Sequence, residues 1–409
     1  MKKVILKILL GLVIIILVVA GVVGFLYFSG RNKIRNDVVA GSGAGADFSS
    51  IGGFDDPIPT ELPVVMVDEN GEIVFPEDTT SPISDETVAQ PGGNVEPGDT
   101  AAVTDAGADA DGPATITSAN PAGGTGSEDG VVTYKDQRYR YNDDLINILV
   151  MGIDKPSVVT QAKHGADGGQ ADAIFLLMLD GSTGTINIVT INRNSMVPVD
   201  IYTRAGEYYG QGVMQITLQH AYGDGMTISN ERMAEAVSRM FHNIPIHAYA
   251  SINMGGVATL NDAIGGVTLT PMCDIPGTSV KQGVTINLMG NDAYEYVHWR
   301  DCSEFASADQ RLDREKQYLD VFGRKALAEV KKNPGVAADL YNIMKQYMVT
   351  DLTLDRVTYL AAQAGGYKFN ASNIYSVPGS TRMGFMYEEY HVDEEGLRDL
   401  IIKLFFKPI

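Results

Sequence analysis

The stretch INILVMG (Ile146–Gly152) contains no charged residue, and AIFLLML (Ala173–Leu179) repeats the pattern further along the chain. Continuous apolar runs of this length are typical of central strands that are buried on both faces. The turn GSTG (Gly181–Gly184) follows, and TINIVTI (Thr185–Ile191) then predicts an antiparallel partner strand. The three runs therefore predict the middle of a β-sheet whose two faces are covered.

Helical patterns alternate with strands on the C-terminal side of these runs. A helix is predicted over Asn230–Phe241, a strand over His247–Asn253 and a second helix over Gly255–Ile264. A long charged helix is expected from about Asp309 to Lys332, before Pro334. This alternation predicts the α/β class, with an α-β-α sandwich around a mixed central sheet.

The net charge of −20 is unevenly distributed along the 409 residues. Residues 36–133 contain 19 Asp and Glu, no Lys or Arg, and 24 Gly and Pro. Such a segment cannot bury enough apolar area to offset its ordering entropy, so a disordered linker is expected, spanning about 55 Å as a coil. A non-specific nucleic-acid binder needs a basic footprint, so nucleic acid is not an expected partner.

An apolar run of 21 residues without a charge lies near the N-terminus, at Ile8–Phe28. As a helix it measures about 31 Å, the thickness of a bilayer core. The apolar region of a cleaved signal peptide is shorter, about 7–15 residues, so an uncleaved transmembrane anchor is favoured. The predicted organisation is an anchor at 1–35, an acidic Gly/Pro-rich linker at 36–133 and a globular domain at 134–409. The domain is expected to be extracytoplasmic, on a single-pass protein of the cell membrane.

Six phrases of the globular part, taken in order, resemble the LytR-CpsA-Psr family of membrane-anchored cell-envelope proteins. They cover the core region 147–319 and read NILVMGID (Asn147–Asp154), QADAIFLLML (Gln170–Leu179), VTINRN (Val189–Asn194), QITLQHAYGDG (Gln215–Gly225), LNDAIGGVTL (Leu260–Leu269) and AYEYVHWRD with QRLDREKQYL (Ala293–Leu319). The resemblance implies a phosphotransferase that attaches a polyprenyl-pyrophosphate-linked glycopolymer, such as a teichoic acid or capsular polysaccharide, to peptidoglycan. It also implies Mg²⁺ as cofactor, since Mg²⁺ is bound by one or two carboxylates together with phosphate oxygens.

The resemblance also implies roles for individual residues. Asp154 and Asp172 match acidic positions of the family, and both are expected to bind the metal. Asp172, Arg193 and Arg311 are the expected catalytic residues. Pyrophosphate is expected to contact four guanidinium groups, those of Arg193, Arg300, Arg311 and Arg314, because guanidinium binds phosphate bidentately.

Alternatives remain for these residues. Both aspartates could merely cap turns at strand ends. Arg311 and Arg314 are three positions apart, so they could form the solvated face of a charged helix.

Three positions depart from the family pattern, because Gln170, Gln215 and His298 stand where the family usually has basic residues. A clamp that lacks three cations binds pyrophosphate more weakly. The alternative function is therefore a catalytically impaired module that binds polyprenyl phosphates or wall polymers. A transcription regulator is a third interpretation, but the chain shows no basic helix-turn-helix.

The chain has two cysteines, Cys273 and Cys302. Outside the cell membrane a disulfide between them is plausible, and it would contribute about 3–4 kcal/mol by closing a loop in the unfolded chain. Such a bridge would join the arginine-rich loop to the sheet.

Overall fold

The computed structural model describes six segments of the chain, with the ranges 27–41, 130–162, 168–203, 205–301, 303–384 and 387–409. Most of the predicted membrane span and of the predicted acidic linker lies outside these segments. Among the helices of the described segments, none combines the length and the hydropathy that crossing a bilayer requires.

The elements of the described segments are numbered in chain order. The strands are β1 (Val131–Tyr134), β2 (Gln137–Tyr141), β3 (Leu145–Ile153), β4 (Ala171–Asp180), β5 (Thr185–Ile191), β6 (Met196–Tyr202), β7 (Tyr208–Gln215), β8 (Ala248–Asn253), β9 (Val267–Leu269), β10 (Ile286–Leu288), β11 (Met348–Thr350), β12 (Ile374–Ser376), β13 (Gly379–Met383), β14 (Glu388–Val392) and β15 (Phe406–Pro408). The helices are α1 (27–36), α2 (Leu218–Ala221), α3 (Thr227–Met240), α4 (Gly256–Ala263), α5 (Gly290–His298), α6 (Ser307–Lys332), α7 (Gly335–Met344), α8 (Leu354–Ala364) and α9 (Glu394–Phe405).

The centre of the fold is a six-stranded sheet with the order β11-β8-β3-β4-β5-β12. Neighbouring strands β3 and β4 run antiparallel, as do β4 and β5. The pairs β3–β8 and β5–β12 are parallel, so the sheet is mixed. The predicted α/β class with a mixed central sheet is confirmed, and the run TINIVTI forms the predicted antiparallel partner.

Both faces of β3 are buried, as its uninterrupted apolar sequence predicts. Leu149 and Met151 point into a core shared with α3 and α9. Ile146 and Ile148 point to the opposite side, where they pack with Tyr359 of α8. Because successive side chains of a strand alternate between its two faces, one strand contributes to both layers of the core. Helices consequently lie on both sides of the central sheet.

The end of the chain belongs to the same unit. Strand β15 pairs with β2, and the three-stranded sheet β1-β2-β15 joins the first and last strands of the domain. The hairpin β13–β14 packs beside β6, through a bridge between Ser195 and Tyr390. This hairpin lies at the end of the sheet where β5 leaves it, because Tyr390 donates its backbone N–H to the carbonyl of Asn194 (2.9 Å).

Candidate functional site

Strand direction brings three charged residues to one end of the central sheet. Asp154 follows the last residue of β3, and Asp172 is the second residue of β4. Since β3 and β4 are antiparallel, the end of one strand lies beside the start of the other, and Ile153 pairs with Ala171. Strand β5 is antiparallel to β4, so Arg193, just after β5, returns to the same end. The order of the strands alone therefore places both carboxylates and one guanidinium together.

Asp172 is the centre of the site. Its side chain is 8% exposed and forms ion pairs with Arg193 and with Arg311 of α6 (Nη1–Oδ2 2.9 Å). Arg311 also donates to the backbone carbonyl of Asp172 (3.2 Å). Burial by itself would raise the pKa of the Asp172 carboxyl, but the charges of Arg193 and Arg311 outweigh it and hold that pKa below its usual value. Asp172 is therefore ionised, and it holds two guanidinium groups side by side.

Asp154 is exposed, and it accepts a hydrogen bond from the backbone N–H of Gln170 (2.7 Å). Desolvation raises the pKa of its carboxyl, and the negative charge of Asp172 raises it further. Two carboxylates that repel each other at adjacent strand ends fit a divalent cation, because a cation between them relieves the repulsion. Within the described residues, no group of three His, Cys, Asp or Glu side chains is placed to hold a metal ion. Asp154 and Asp172 are the residues that would hold Mg²⁺.

A buried acid that the sequence did not single out lies behind Arg311. Glu315 is one helical turn further along α6, 4% exposed, with Oε1 3.6 Å from Nε of Arg311. Burial raises the pKa of the Glu315 carboxyl to about 7, although Arg311 lowers it in part. Arg311 thus lies between an ionised carboxylate in front and a titrating carboxyl behind. The i,i+4 spacing from Arg311 was the available signal, but it is equally typical of an exposed helix pair.

Arg314 is buried, yet it points away from Asp172. Its Nε donates to the carbonyl of Tyr296 (3.0 Å), and its Nη2 donates to the carbonyl of Trp299. These carbonyls belong to the C-terminal end of α5, where the helix leaves carbonyl groups without intrahelical partners. Arg314 therefore joins α6 to α5, and its expected contact with pyrophosphate stays a prediction. The alternative of a solvated helix face is wrong for both Arg311 and Arg314, since each is less than 5% exposed.

Replacing Arg314 with lysine is expected to destabilise the fold by about 1–3 kcal/mol, because an ammonium cannot reach both carbonyls. Urea denaturation followed by circular dichroism measures this loss, and Arg324→Lys on the exposed side of α6 is the matched control. An unchanged free energy of unfolding together with weaker pyrophosphate binding would instead make Arg314 a ligand contact.

Arg300 follows α5 in the chain and lies close enough to Asp172 for its charge to act on that carboxyl. It is half-buried, and its charge contributes to lowering the pKa of Asp172, after burial and the charges of Arg193 and Arg311. Within the part of the chain that the structure describes, Arg300 forms no hydrogen bond and no ion pair. Its guanidinium is therefore free to bind an anion. His298 stacks on Tyr294 with ring centroids 4.8 Å apart, which makes it part of the surface of α5.

The first turn of α6 is fixed by contacts that the sequence did not reveal. Asp309 accepts hydrogen bonds from Asn192 after β5 (2.6 Å) and from Thr381 of β13 (2.5 Å). The backbone N–H of Ala306 donates to the Glu388 carboxylate of β14 (2.6 Å). The hairpin β13–β14 thereby orients α6 and, with it, Arg311. Residues so far apart in the chain carry no local signal of this contact.

The proposed disulfide lies partly outside the described residues. Cys273 is half-buried and packs beside the apolar cluster of α5 and α6. Cys302 is not among the residues that the structure describes, so the bridge stays a prediction.

A family model described as the LytR_cpsA_psr family matches residues 115–404. The chain belongs to this family.

Similar proteins of the LytR_cpsA_psr family carry the name polyisoprenyl-teichoic acid–peptidoglycan teichoic acid transferase TagU. The TagU of Oceanobacillus iheyensis is 26% identical over 259 residues, which cover 62% of this chain and 72% of that protein. The TagU of Bacillus cereus is 25% identical over 270 residues, with coverages of 63% and 77%. A solved structure, protein gbs0355 of Streptococcus agalactiae, has a TM-score of 0.50 at 18% identity and covers 64% of this chain and 87% of its own. At this identity it shows the shared fold.

Two departures from the LytR_cpsA_psr pattern now have a structural setting. The side-chain oxygen of Gln170 accepts a hydrogen bond from Arg193, so this neutral residue orients a cation in place of adding one. Gln215 at the end of β7 donates to the backbone carbonyl of Glu388 (2.8 Å) and supports the hairpin. The described site therefore contains three guanidinium groups near Asp172, those of Arg193, Arg300 and Arg311.

Proposed function

We propose that the chain is a membrane-anchored phosphotransferase that attaches a polyprenyl-pyrophosphate-linked glycopolymer to peptidoglycan on the extracytoplasmic side of the cell membrane. The observation that carries the proposal is the buried Asp172, which holds Arg193 and Arg311 side by side. Two fixed guanidinium groups at a strand end suit a diphosphate, because they neutralise charge that develops on its oxygens. The TagU relatives, which are named as teichoic acid transferases, support the choice of donor and acceptor.

The reaction is a displacement at phosphorus. An acceptor hydroxyl attacks the phosphorus that bears the glycopolymer, and the new acceptor O–P bond forms as the bond to the bridging oxygen breaks. Polyprenyl phosphate leaves, and the hydroxyl proton passes to water. When bound by Asp154 and Asp172, Mg²⁺ supplies Lewis-acid stabilisation of the phosphate oxygens. The protein's own part is to position the diphosphate and to stabilise its charge.

The test uses the full chain in detergent or proteoliposomes with a short polyprenyl-pyrophosphate saccharide, Mg²⁺ and a peptidoglycan fragment. Transfer of the saccharide to the fragment, with release of polyprenyl phosphate, is the expected result. Tight binding of the donor without transfer or release would instead support the second candidate, a binding module. One observation favours that candidate, namely that Gln170 is neutral and that Arg193 is already paired with Asp172.

Arg300→Ala is expected to weaken donor binding by about 10–100-fold, since it removes one charge-assisted contact with the diphosphate. The stability of the fold should be unchanged, because Arg300 has no partner in the described residues. Isothermal titration with a polyprenyl pyrophosphate measures the affinity, and thermal unfolding measures the stability. Arg324→Ala on the exposed face of α6 is the matched control. Equal affinities of the two variants would show that Arg300 does not contact the diphosphate.

A further inference from the structure

The segment immediately after the predicted membrane span is packed onto the globular domain. Ile34 of α1 is fully buried in a cluster with Ile146 and Ile148 of β3 and Tyr359 of α8. These side chains form one face of the central sheet at the β3 end opposite Asp154. Burying an isoleucine completely stabilises the contact by about 1.5–3 kcal/mol. Helix α1 is therefore part of the core, although the sequence predicts an anchor that ends at residue 35.

Polar contacts fix the same segment to α8. Asp355 forms an ion pair with Lys33 (2.9 Å) and accepts a hydrogen bond from the Ser29 hydroxyl (2.7 Å). The next residue of α8, Arg356, is buried and forms an ion pair with Asp37. Burial would raise the pKa of the Asp355 carboxyl, but its hydrogen bonds, that to Lys33 included, hold the pKa well below its usual value. Both ends of α1 are thus attached by charge as well as by apolar packing.

Backbone pairing extends the attachment beyond the helix. Val39 donates to the carbonyl of Ile246 (2.7 Å), and Ile246 donates to the carbonyl of Ala40 (2.8 Å). At the other end of the acidic segment, Tyr141 of β2 donates to the carbonyl of Gly130 (2.8 Å). The described residues on either side of the acidic segment, at 41 and 130, therefore both lie on the domain. The number of residues between them does not enter the distance from the domain to residue 27, because residue 27 precedes this segment.

We propose that residues 27–41 are a strap that seats the domain directly on the lipid surface, where a 98-residue tether was expected. The proposal rests on the membrane anchor proposed above. The apolar run of the sequence, Ile8–Phe28, ends inside α1, so a membrane span over this run would continue directly into the docked segment. Phe28 is 60% exposed, and Arg31 beside it is exposed. An exposed aromatic ring with a neighbouring cation fits the headgroup region of a bilayer with anionic lipid.

Full-length protein in proteoliposomes with a nitroxide-headgroup lipid tests the strap. The reporter is Leu354→Trp in a Trp299→Phe background, because Leu354 is 48% exposed and adjoins Asp355. Strong quenching of Trp fluorescence is the expected result. Lys33→Glu, which places a negative charge against Asp355, should remove most of it. The swap Lys33→Glu/Asp355→Lys should restore it, and this recovery excludes general unfolding of the single variant.

Hydrogen exchange on the same samples measures whether residues 27–41 are docked on the domain, independently of contact with the lipid. Slow exchange of the Val39 and Ile246 amides, lost in Ile34→Asp and kept in the exposed control Asn32→Asp, supports the strap. Fast exchange of Val39 in the unsubstituted protein would overturn it. Protected amides with an unquenched reporter would overturn seating on the lipid. Flotation of the protein with the liposomes is measured separately. Failure to float contradicts the membrane anchor, whereas hydrogen exchange still decides whether residues 27–41 are docked on the domain.

Discussion

Replacing Asp172 with asparagine is expected to lower the free energy of unfolding by about 3–5 kcal/mol, because it leaves buried cations without their counter-charge. Arg193 and Arg311 would then face each other across a neutral amide, and Arg311 is only 4% exposed. Transfer activity should fall as well, since the two guanidinium groups lose the carboxylate that positions them. Urea denaturation measures the first loss, and saccharide transfer under native conditions measures the second.

The matched control for this variant is Asp313→Asn on the exposed side of α6. Asp313 pairs with Lys316 (2.9 Å), its own side chain is 61% exposed, and an exposed ion pair contributes only about 0–1 kcal/mol. Removing one cation together with the acid, as in Asp172→Asn/Arg311→Met, should recover part of the lost stability but none of the activity. An Asp172→Asn protein as stable as the unsubstituted chain would mean that the two arginines find other partners, and that their pairing with Asp172 does not stabilise the fold.

The end of the sheet at which the site lies could partly be predicted from the sequence, because strand direction follows from a few local rules. Uninterrupted apolar runs identified β3 and β4, and the turn GSTG indicated that β4 and β5 are antiparallel, whereas the antiparallel direction of β3 and β4 came from the structure. Once those directions are known, Asp154, Asp172 and Arg193 must lie at one end. The family resemblance then added Arg311, which sequence spacing alone could not bring to Asp172 over 139 positions.

Side-chain direction on α6 was not predictable in the same way. Arg311 and Arg314 share a helix face, yet one meets Asp172 and the other meets carbonyls of α5. The packing of α5 against α6 decides this difference, and no local pattern encodes it. The polar face of α6 also appeared solvated, although Glu315 is buried, because charge patterns do not report which face the hairpin β13–β14 and the sheet will cover.

Glu315 sets the charge of the site. With Glu315 protonated, three guanidinium groups, those of Arg193, Arg300 and Arg311, stand against the carboxylates of Asp154 and Asp172. When Glu315 ionises, three carboxylates balance the three guanidinium groups and the net charge of the site becomes zero. Arg311 then interacts with two carboxylates, those of Asp172 and Glu315. Anion affinity should therefore decrease as the pH rises through about 7, the pKa to which burial raises the Glu315 carboxyl.

Glu315→Gln is expected to stabilise the protein at pH 8 and to flatten its stability between pH 5 and 8. The folded state raises the pKa of this acid from 4.5 to about 7, so between those values it binds more protons than the unfolded chain does. Stability contributed by this group is complete below about pH 4.5 and is lost as the pH rises to about 7, by on the order of 3 kcal/mol. Glutamine keeps the shape of the protonated acid and never acquires the buried charge.

Thermal and urea unfolding at half-unit pH steps measure the effect, with Asp313→Asn as control on the exposed side of α6. Asp172 acts in the opposite direction, because the pKa of its carboxyl is lowered and its contribution is lost only in acid. The two groups therefore affect stability in different pH ranges, and the change in stability near neutral pH comes from Glu315. Donor binding at pH 8 should also be tighter in Glu315→Gln, since Arg311 is released from the second acid. If Glu315→Gln left the pH dependence of stability unchanged, a group other than Glu315 would titrate in this range, and Glu315 would not contribute to the charge balance of the site.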